Sequence, residues 1–245
     1  MDSPHSAGGR VIGIWAVLGL ASALANPVHA QNGDAKGEEQ PDLPADLEIP
    51  PAPALSPLDE LATFTLAPGL RVELVAADPL INDPIAAEFD ERGRLWVVEM
   101  LGYMPNVDGT GEAEPVGKIA ILSDEDGDGR MDARVEFMEN LVLPRSVHPC
   151  LDGALVILPN QVLFCRDKDG DGQADSFEVI DTYRGGIASP EHSLNGFERT
   201  LDNWYRCANG SVKYRVRSGQ WERGQTTGGG QWGITKDDLG RIMFN

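Results

Sequence analysis

Cysteine and histidine are scarce in this 245-residue chain, which has three of the first and four of the second. Three thiols, Cys150, Cys165 and Cys207, make an odd number for an exported protein and leave at least one unpaired. None stands in the CxxCH arrangement that attaches haem covalently, so no haem is expected in this chain. The strand reading below puts Cys150 and Cys165 two strands apart at one end of a sheet, about 9 to 10 Å at an interstrand spacing of about 4.8 Å. Their pairing stays open. Basic residues are also few, 20 Lys and Arg against 39 Asp and Glu, and the net charge is -19. No basic stripe exists to displace counterions from phosphates, which argues against nucleic-acid binding.

Long apolar runs are missing too. VIGIWAVLGLASALA (residues 11–25), behind Arg10, falls short of the roughly 20 residues that a membrane span needs. Followed by Val28-His29-Ala30, it predicts a signal peptide over residues 1–30. Gln31 comes next, not the Cys required for lipid attachment. The expectation is an exported protein of the periplasm or cell surface, with membrane association through an uncleaved N-terminal segment as the alternative. Residues 31–57 are rich in Pro and acid and poor in aromatics, so they cannot bury enough apolar surface to offset ordering entropy and read as a disordered linker. Helical periodicity is absent beyond a short turn at residues 58–63.

What the chain does have is a repeat. DEDGDGRMD begins at Asp124 and DKDGDGQAD at Asp167, 43 residues later. Apolar strands precede both, KIAIL (118–122) and QVLFC (161–165), and strands follow both, ARVEF (133–137) and SFEVI (176–180). A second phrase also recurs: FDERGRLWVVE (89–99) and TKDDLGRIMFN (235–245) share Asp, Gly three residues on, then Arg and a strand. Gly tolerates the positive φ of a tight hairpin. The period is that of propeller blades. The prediction is an all-β chain whose residues 58–245 form a partial β-propeller of four-stranded antiparallel blades over 85–140, 146–183 and 196–226, with two strands of a fourth from Gln231. FTLAPGLRVELVAADP (64–79) reads as a strand pair that lacks a partner. Three and a half blades make an incomplete ring, expected of a fragment.

Oxygen donors on alternate residues of DxDGDGxxD turn toward one centre, and hard carboxylates without His or thiolate select calcium. The expected ligands are Asp124, Asp126, Asp128 and Asp132 in the first loop, and Asp167, Asp169, Asp171 and Asp175 in the second. Glu178 stands at position 12, where an EF-hand places its bidentate carboxylate. The bland alternative is a pair of solvated acidic turns, and the identical second copy favours calcium in a structural role.

Two His remain after signal removal. His192 precedes an expected innermost strand and is the candidate base; a His that only bonds a neighbouring turn is the alternative. Arg145 and Glu99 occupy similar blade edges as catalytic candidates or structural ion-pair members. Asn195, Tyr103 and Glu191 are candidates to hold a substrate, or to start a strand, pack and carry surface charge respectively.

The phrases LAPGLRVELVAADPLINDPIAAEFDERGRLWVVEMLGYMP, VDGTGEAEPVGKIAILSDEDGDGRMD, PEHSLNGFERTLDNWY and GQWGITKDDLGRIMFN together resemble the N-terminal propeller of a family of membrane-bound dehydrogenases of planctomycete and verrucomicrobial bacteria. That resemblance spans residues 57 to 245. It implies a propeller similar to those of sugar dehydrogenases that use pyrroloquinoline quinone, with His192 matching their base and a carbohydrate or polyol as substrate. It also implies helical repeats and a cytochrome-c-type domain in full-length relatives. Neither is in this chain, so half a channel should be inactive alone. The rival class is a noncatalytic binding module at the cell surface with structural calcium loops.

Overall fold

A computed structural model describes residues 44, 47–48, 50–106, 108–184 and 192–245. Residues 1–43, which hold the expected signal peptide and the first part of the linker, lie outside the described residues, as does Glu191. The described chain is almost entirely β. One short helix, α1 (Pro57–Leu61), starts under a Ser56 cap that accepts a bond from Asp59 N.

Three four-stranded antiparallel sheets follow. The first is β1 (Pro84–Phe89), β2 (Leu95–Glu99), β3 (Gly117–Ser123) and β4 (Ala133–Leu141), paired in that order. The second is β5 (Ser146–Cys150), β6 (Gly153–Leu158), β7 (Gln161–Arg166) and β8 (Ser176–Thr182). The third is β9 (Asn195–Arg199), β10 (Tyr205–Ala208), β11 (Val212–Arg217) and β12 (Gln220–Gln225). A two-stranded sheet, β13 (Thr235–Lys236) and β14 (Ile242–Met243), comes last. The first strand of each large sheet touches the first strand of the next, β1 against β5 and β5 against β9. Sheets stacked face to face about common inner strands are the blades of a partial propeller.

Period-two alternation explains why the central strands read as unbroken apolar runs. In β6, Ala154 and Val156 pack toward the first sheet beside Trp96, Ile121 and Phe137, while Leu155 and Ile157 pack toward the third beside Phe197, Tyr205 and Tyr214. Both faces are buried, so both parities must be apolar. Each fully buried aliphatic or Phe side chain contributes about 1.5–3 kcal/mol. Gly153 opens β6 because its backbone lies against β7; a Cβ there would sit 1.9 Å from the Cys165 carbonyl oxygen.

The inner hairpins share one device. Asp90 accepts bonds from Arg92 N, Arg94 N and Arg94 Nε, and Asp237 from Leu239 N, Arg241 N and Arg241 Nε. Gly93 and Gly240 take φ of 78° and 76° in these turns, which L side chains rarely adopt. The recurring Asp-x-x-Gly-Arg phrase is therefore a carboxylate-capped turn.

The expected strand pair at 64–79 is not formed. This stretch contains no strand: a turn at 67–70 closes through Leu70 N to the Ala67 carbonyl, and residues 71–77 join no ladder. The apolar alternation is real, but it serves packing. Val75, Ala76, Leu80 and Ile81 cover Leu95, Val97, Ala120 and Leu122 on the face of the first sheet turned away from the second.

The three thiols are free. Burial pushes the Cys150 and Cys165 pKa values up to about 12 and that of Cys207 well above its ordinary value, so all three stay protonated. As small apolar groups they fill the spaces between sheets.

Candidate functional site

Strand direction sorts the candidate residues onto two opposite faces. The two Asp loops join β3 to β4 and β7 to β8, so they lie at one end of the sheets. Glu99 closes β2, Arg145 precedes β5 and Asn195 opens β9, all at the other end. Neighbouring inner strands run the same way, since His148 Nδ1 of β5 lies 2.8 Å from Glu88 of β1 and the β1–β2 and β5–β6 turns line one cavity with the second Asp loop.

The Asp loops are near copies in their hydrogen bonding. Position 1 accepts from the N–H groups of positions 4 and 6: Asp124 from Gly127 (2.7 Å) and Gly129 (2.9 Å), Asp167 from Gly170 (2.7 Å) and Gly172 (3.0 Å). Position 3 accepts from 5, with Asp126 bonded by Asp128 N and Asp169 by Asp171 N. Position 5 accepts from 7, with Asp128 bonded by Arg130 N and Asp171 by Gln173 N. Position 9 accepts from 2, with Asp132 bonded by Glu125 N at 2.9 Å and Asp175 by Lys168 N at 2.6 Å. All four loop glycines have positive φ, between 77° and 91°. Positions 4 and 6 of the motif both need Gly for this bend.

This curl converges the carboxylates. Oxygens of Asp124, Asp126 and Asp128 lie within 4.8 Å of one another, as do those of Asp167, Asp169 and Asp175. Neighbouring N–H groups, Gly129 first, outweigh the loop's slight desolvation and hold the Asp124 carboxyl below its ordinary pKa. An all-oxygen donor set fits a hard divalent cation. Asp132 and Asp171 lie outside these two groups, and so does Glu178: it stands on β8 opposite Phe164, exposed, because the chain after Asp175 enters a ladder and does not continue the curl.

Position 8 carries a contact that the motif does not advertise. Ala174 N bonds the Phe137 carbonyl of β4, and Gly172 lies against Val135. The second loop thus clasps the outer strand of the preceding sheet. In the first loop Met131 N makes the equivalent bond to the Val75 carbonyl.

On the opposite face, Glu99 is tied into an ion pair. It is 2% exposed and forms a two-pronged pair with Arg134, at 2.6 Å to Nη1 and 2.9 Å to Nη2, while accepting from Asn82 N at 2.8 Å. Burial raises its pKa, but Arg134, the Asn82 N–H and Lys118 outweigh it and the net shift is downward. Arg134 also holds Glu136, which Lys118 reaches. With its oxygens so engaged, Glu99 has the arrangement of an ion-pair member. Arg145 is 1% exposed, and its charge acts on Tyr183. Tyr103 is half-buried in a turn closed by its N–H to the Met100 carbonyl.

Asn195 is a brace. Its Nδ2 donates to the Ser193 and Gln231 carbonyls at 2.9 and 3.0 Å, and its Oδ1 accepts from Gly233 N at 2.7 Å. It is 1% exposed and ties the third sheet to the approach to β13. Asn195→Ala leaves the half-buried Gly233 N–H without this acceptor, at about 0.5–1.5 kcal/mol. A lower urea midpoint with an unchanged m-value is the expected result. His192 is exposed, and its Nε2 lies 3.2 Å from Gln231 Nε2. Gln231 is the partner the sequence reading missed, 39 residues away and in no motif with His192.

No curated protein matches the sequence significantly. Among solved structures, the calcium-binding protein regucalcin of Agrobacterium tumefaciens strain C58 is similar at 15% identity and a TM-score of 0.40. The similarity covers 62% of this chain and 48% of that one, so the chain spans about half the length of the structure it matches. Residues 56–245 match the family model described as "Domain of unknown function (DUF7133)", and the chain belongs to that family.

Proposed function

We propose that this protein is a calcium-braced propeller module, with a structural Ca2+ in each Asp loop and a separate small-molecule surface at the opposite face. The observation that carries the reading is the two-fold recurrence of one hydrogen-bonded curl, in which position-1 and position-3 carboxylates converge. Asp124, Asp126, Asp128 and Asp132 would hold one ion, and Asp167, Asp169, Asp171 and Asp175 the other, with the position-7 carbonyls of Arg130 and Gln173 completing each set. Isothermal titration tests it: two equivalents of Ca2+ are expected, falling to one in Asp124→Asn or Asp167→Asn. Zero uptake at millimolar Ca2+ overturns it.

A second reading, oxidation of a sugar or polyol in the intact protein, is favoured by His192. Its Nε2 lies 3.2 Å from the Gln231 amide nitrogen, and in the tautomer that accepts this amide N–H a substrate hydroxyl would take the place of Gln231 before giving up its proton. Pyrroloquinoline quinone, implied by the family resemblance, would accept the hydride; the haem-bearing partner domains rest on the same ground, and export rests on the signal-peptide pattern of residues 1–30. Dye reduction by the full gene product with added quinone and a panel of sugars is the test. His192→Ala should lower turnover at least about 100-fold. Equal rates in both proteins remove the base assignment, and no reduction with any sugar leaves a noncatalytic binding module.

A further inference from the structure

The two Asp loops share a curl but not their surroundings. Between the first two sheets, the β1–β2 turn, the β5–β6 turn and the second loop enclose a cavity of about 540 Å3. Asp167 and Asp169 stand on its wall, together with Arg92 and Lys168. The first loop faces the chain before β1 instead, where Arg130 and Met131 meet Leu58, Leu74 and Leu80.

Charges on the cavity wall do not all pair off. Arg94 holds Asp90 at 2.8 Å, and Arg166 holds Asp152 at 2.7 Å. Arg92 and Lys168 are exposed, and only their backbone N–H groups are engaged, by Asp90 and Asp175. Neither side chain has an acidic partner among the described residues. The loop beside them is short of a carboxylate. Ca2+ takes about six to eight oxygens, and in an EF-hand a bidentate carboxylate at position 12 supplies two of them. Glu178, at that position, stands on β8 outside the set, so the second loop has a coordination deficit on a wall that carries two uncommitted cations.

We propose that this cavity binds a small hydroxylated monocarboxylic acid, its carboxylate shared between the calcium of the second loop and the Arg92 and Lys168 side chains. The inference rests on calcium occupying that loop, as proposed above. Charge selects the class: one carboxylate makes good the absent one and matches the two cations, while Glu91 on the same wall disfavours a second negative charge. Hydroxyls suit the rest of the wall, because they donate to the lone pairs that Asp152 and Glu91 leave open. The volume lies within the range of about 300–1,000 Å3 usual for small-molecule pockets. By reciprocity the acid raises the calcium affinity of the second loop by the factor by which calcium raises its own, and leaves the first loop unchanged.

Isothermal titration of D-galacturonate into the calcium-loaded full chain tests this, with methyl β-D-galactoside and galactose 1-phosphate as the neutral and dianionic comparisons. One equivalent of galacturonate is expected, bound at least about tenfold more tightly than either comparison. Asp124→Asn, which keeps the second loop, should retain the site, whereas Asp167→Asn or chelator should abolish it. Arg92→Gln and Lys168→Gln should each weaken binding about two- to fivefold, with two equivalents of calcium still taken up and circular dichroism unchanged. Calcium uptake without galacturonate binding overturns the proposal and leaves the calcium reading standing. So does equal or tighter binding of either comparison, or galacturonate binding that survives Asp167→Asn or both cation substitutions together. No calcium uptake overturns both.

Discussion

Calcium should raise the unfolding temperature markedly, and each of two single substitutions should remove about half of the gain. The loops bring like charges within 4.8 Å, and at about 4 Å each such pair repels by about 1 kcal/mol even in water. Backbone N–H groups offset part of this, and a divalent ion offsets the rest. With dissociation constants of about 0.1–1 mM, as in extracellular modules, 10 mM Ca2+ stabilises by about 1.4–2.7 kcal/mol per site. Two sites together give about 3–5 kcal/mol, or about 6–20 °C for a folded region of this size. Asp124→Asn and Asp167→Asn keep an oxygen for the Gly127 and Gly170 N–H groups, so the turn survives while the charge is lost. The second loop should couple to more of the fold, because Ala174 holds β4 while Met131 holds only residues 71–77. Scanning calorimetry with Ca2+, with Mg2+ and with chelator checks all of this; a transition indifferent to calcium contradicts it.

The second large effect concerns the Glu99–Arg134 pair. Arg134→Met strands a carboxylate that is 2% exposed, and breaking a buried pair in this way costs about 3–5 kcal/mol. Glu99→Gln combined with Arg134→Met should recover much of the loss, since no buried charge remains. The pH dependence has a definite sign. The folded pKa of Glu99 lies below its unfolded value of 4.5. Its contribution is therefore full above 4.5 and is lost as the pH falls through the lower folded value. Relative to wild type, Glu99→Gln should lose most stability near neutral pH and progressively less in acid. Urea midpoints from about pH 3 to 7 test this, and a constant difference across the range would contradict it.

These two predictions mark what the sequence made legible. Asp loops and strands were readable because both obey short rules: alternate oxygen donors with Gly at the bends, and apolar runs wherever β6 and β7 are buried on both faces. The Asp90 and Asp237 turns were readable for the same reason, since their caps lie within four residues. The roles of Glu99 and Asn195 were not, because their partners sit 35 and 38 residues away in no pattern. Residues 64–79 misled in another way. Apolar alternation predicts a buried face but not a ladder, and Val75 and Ala76 bury theirs without strand partners. Glu178 shows the limit of counting positions, since an EF-hand loop leads into a helix and this loop leads into β8.

The most direct measurement is anomalous diffraction from crystals grown in millimolar Ca2+. Two peaks are predicted, one within about 2.3–2.6 Å of oxygens from Asp124, Asp126 and Asp128 and one equally close to Asp167 and Asp169. Both loops ordered in the same curl with no peak in either would contradict the account.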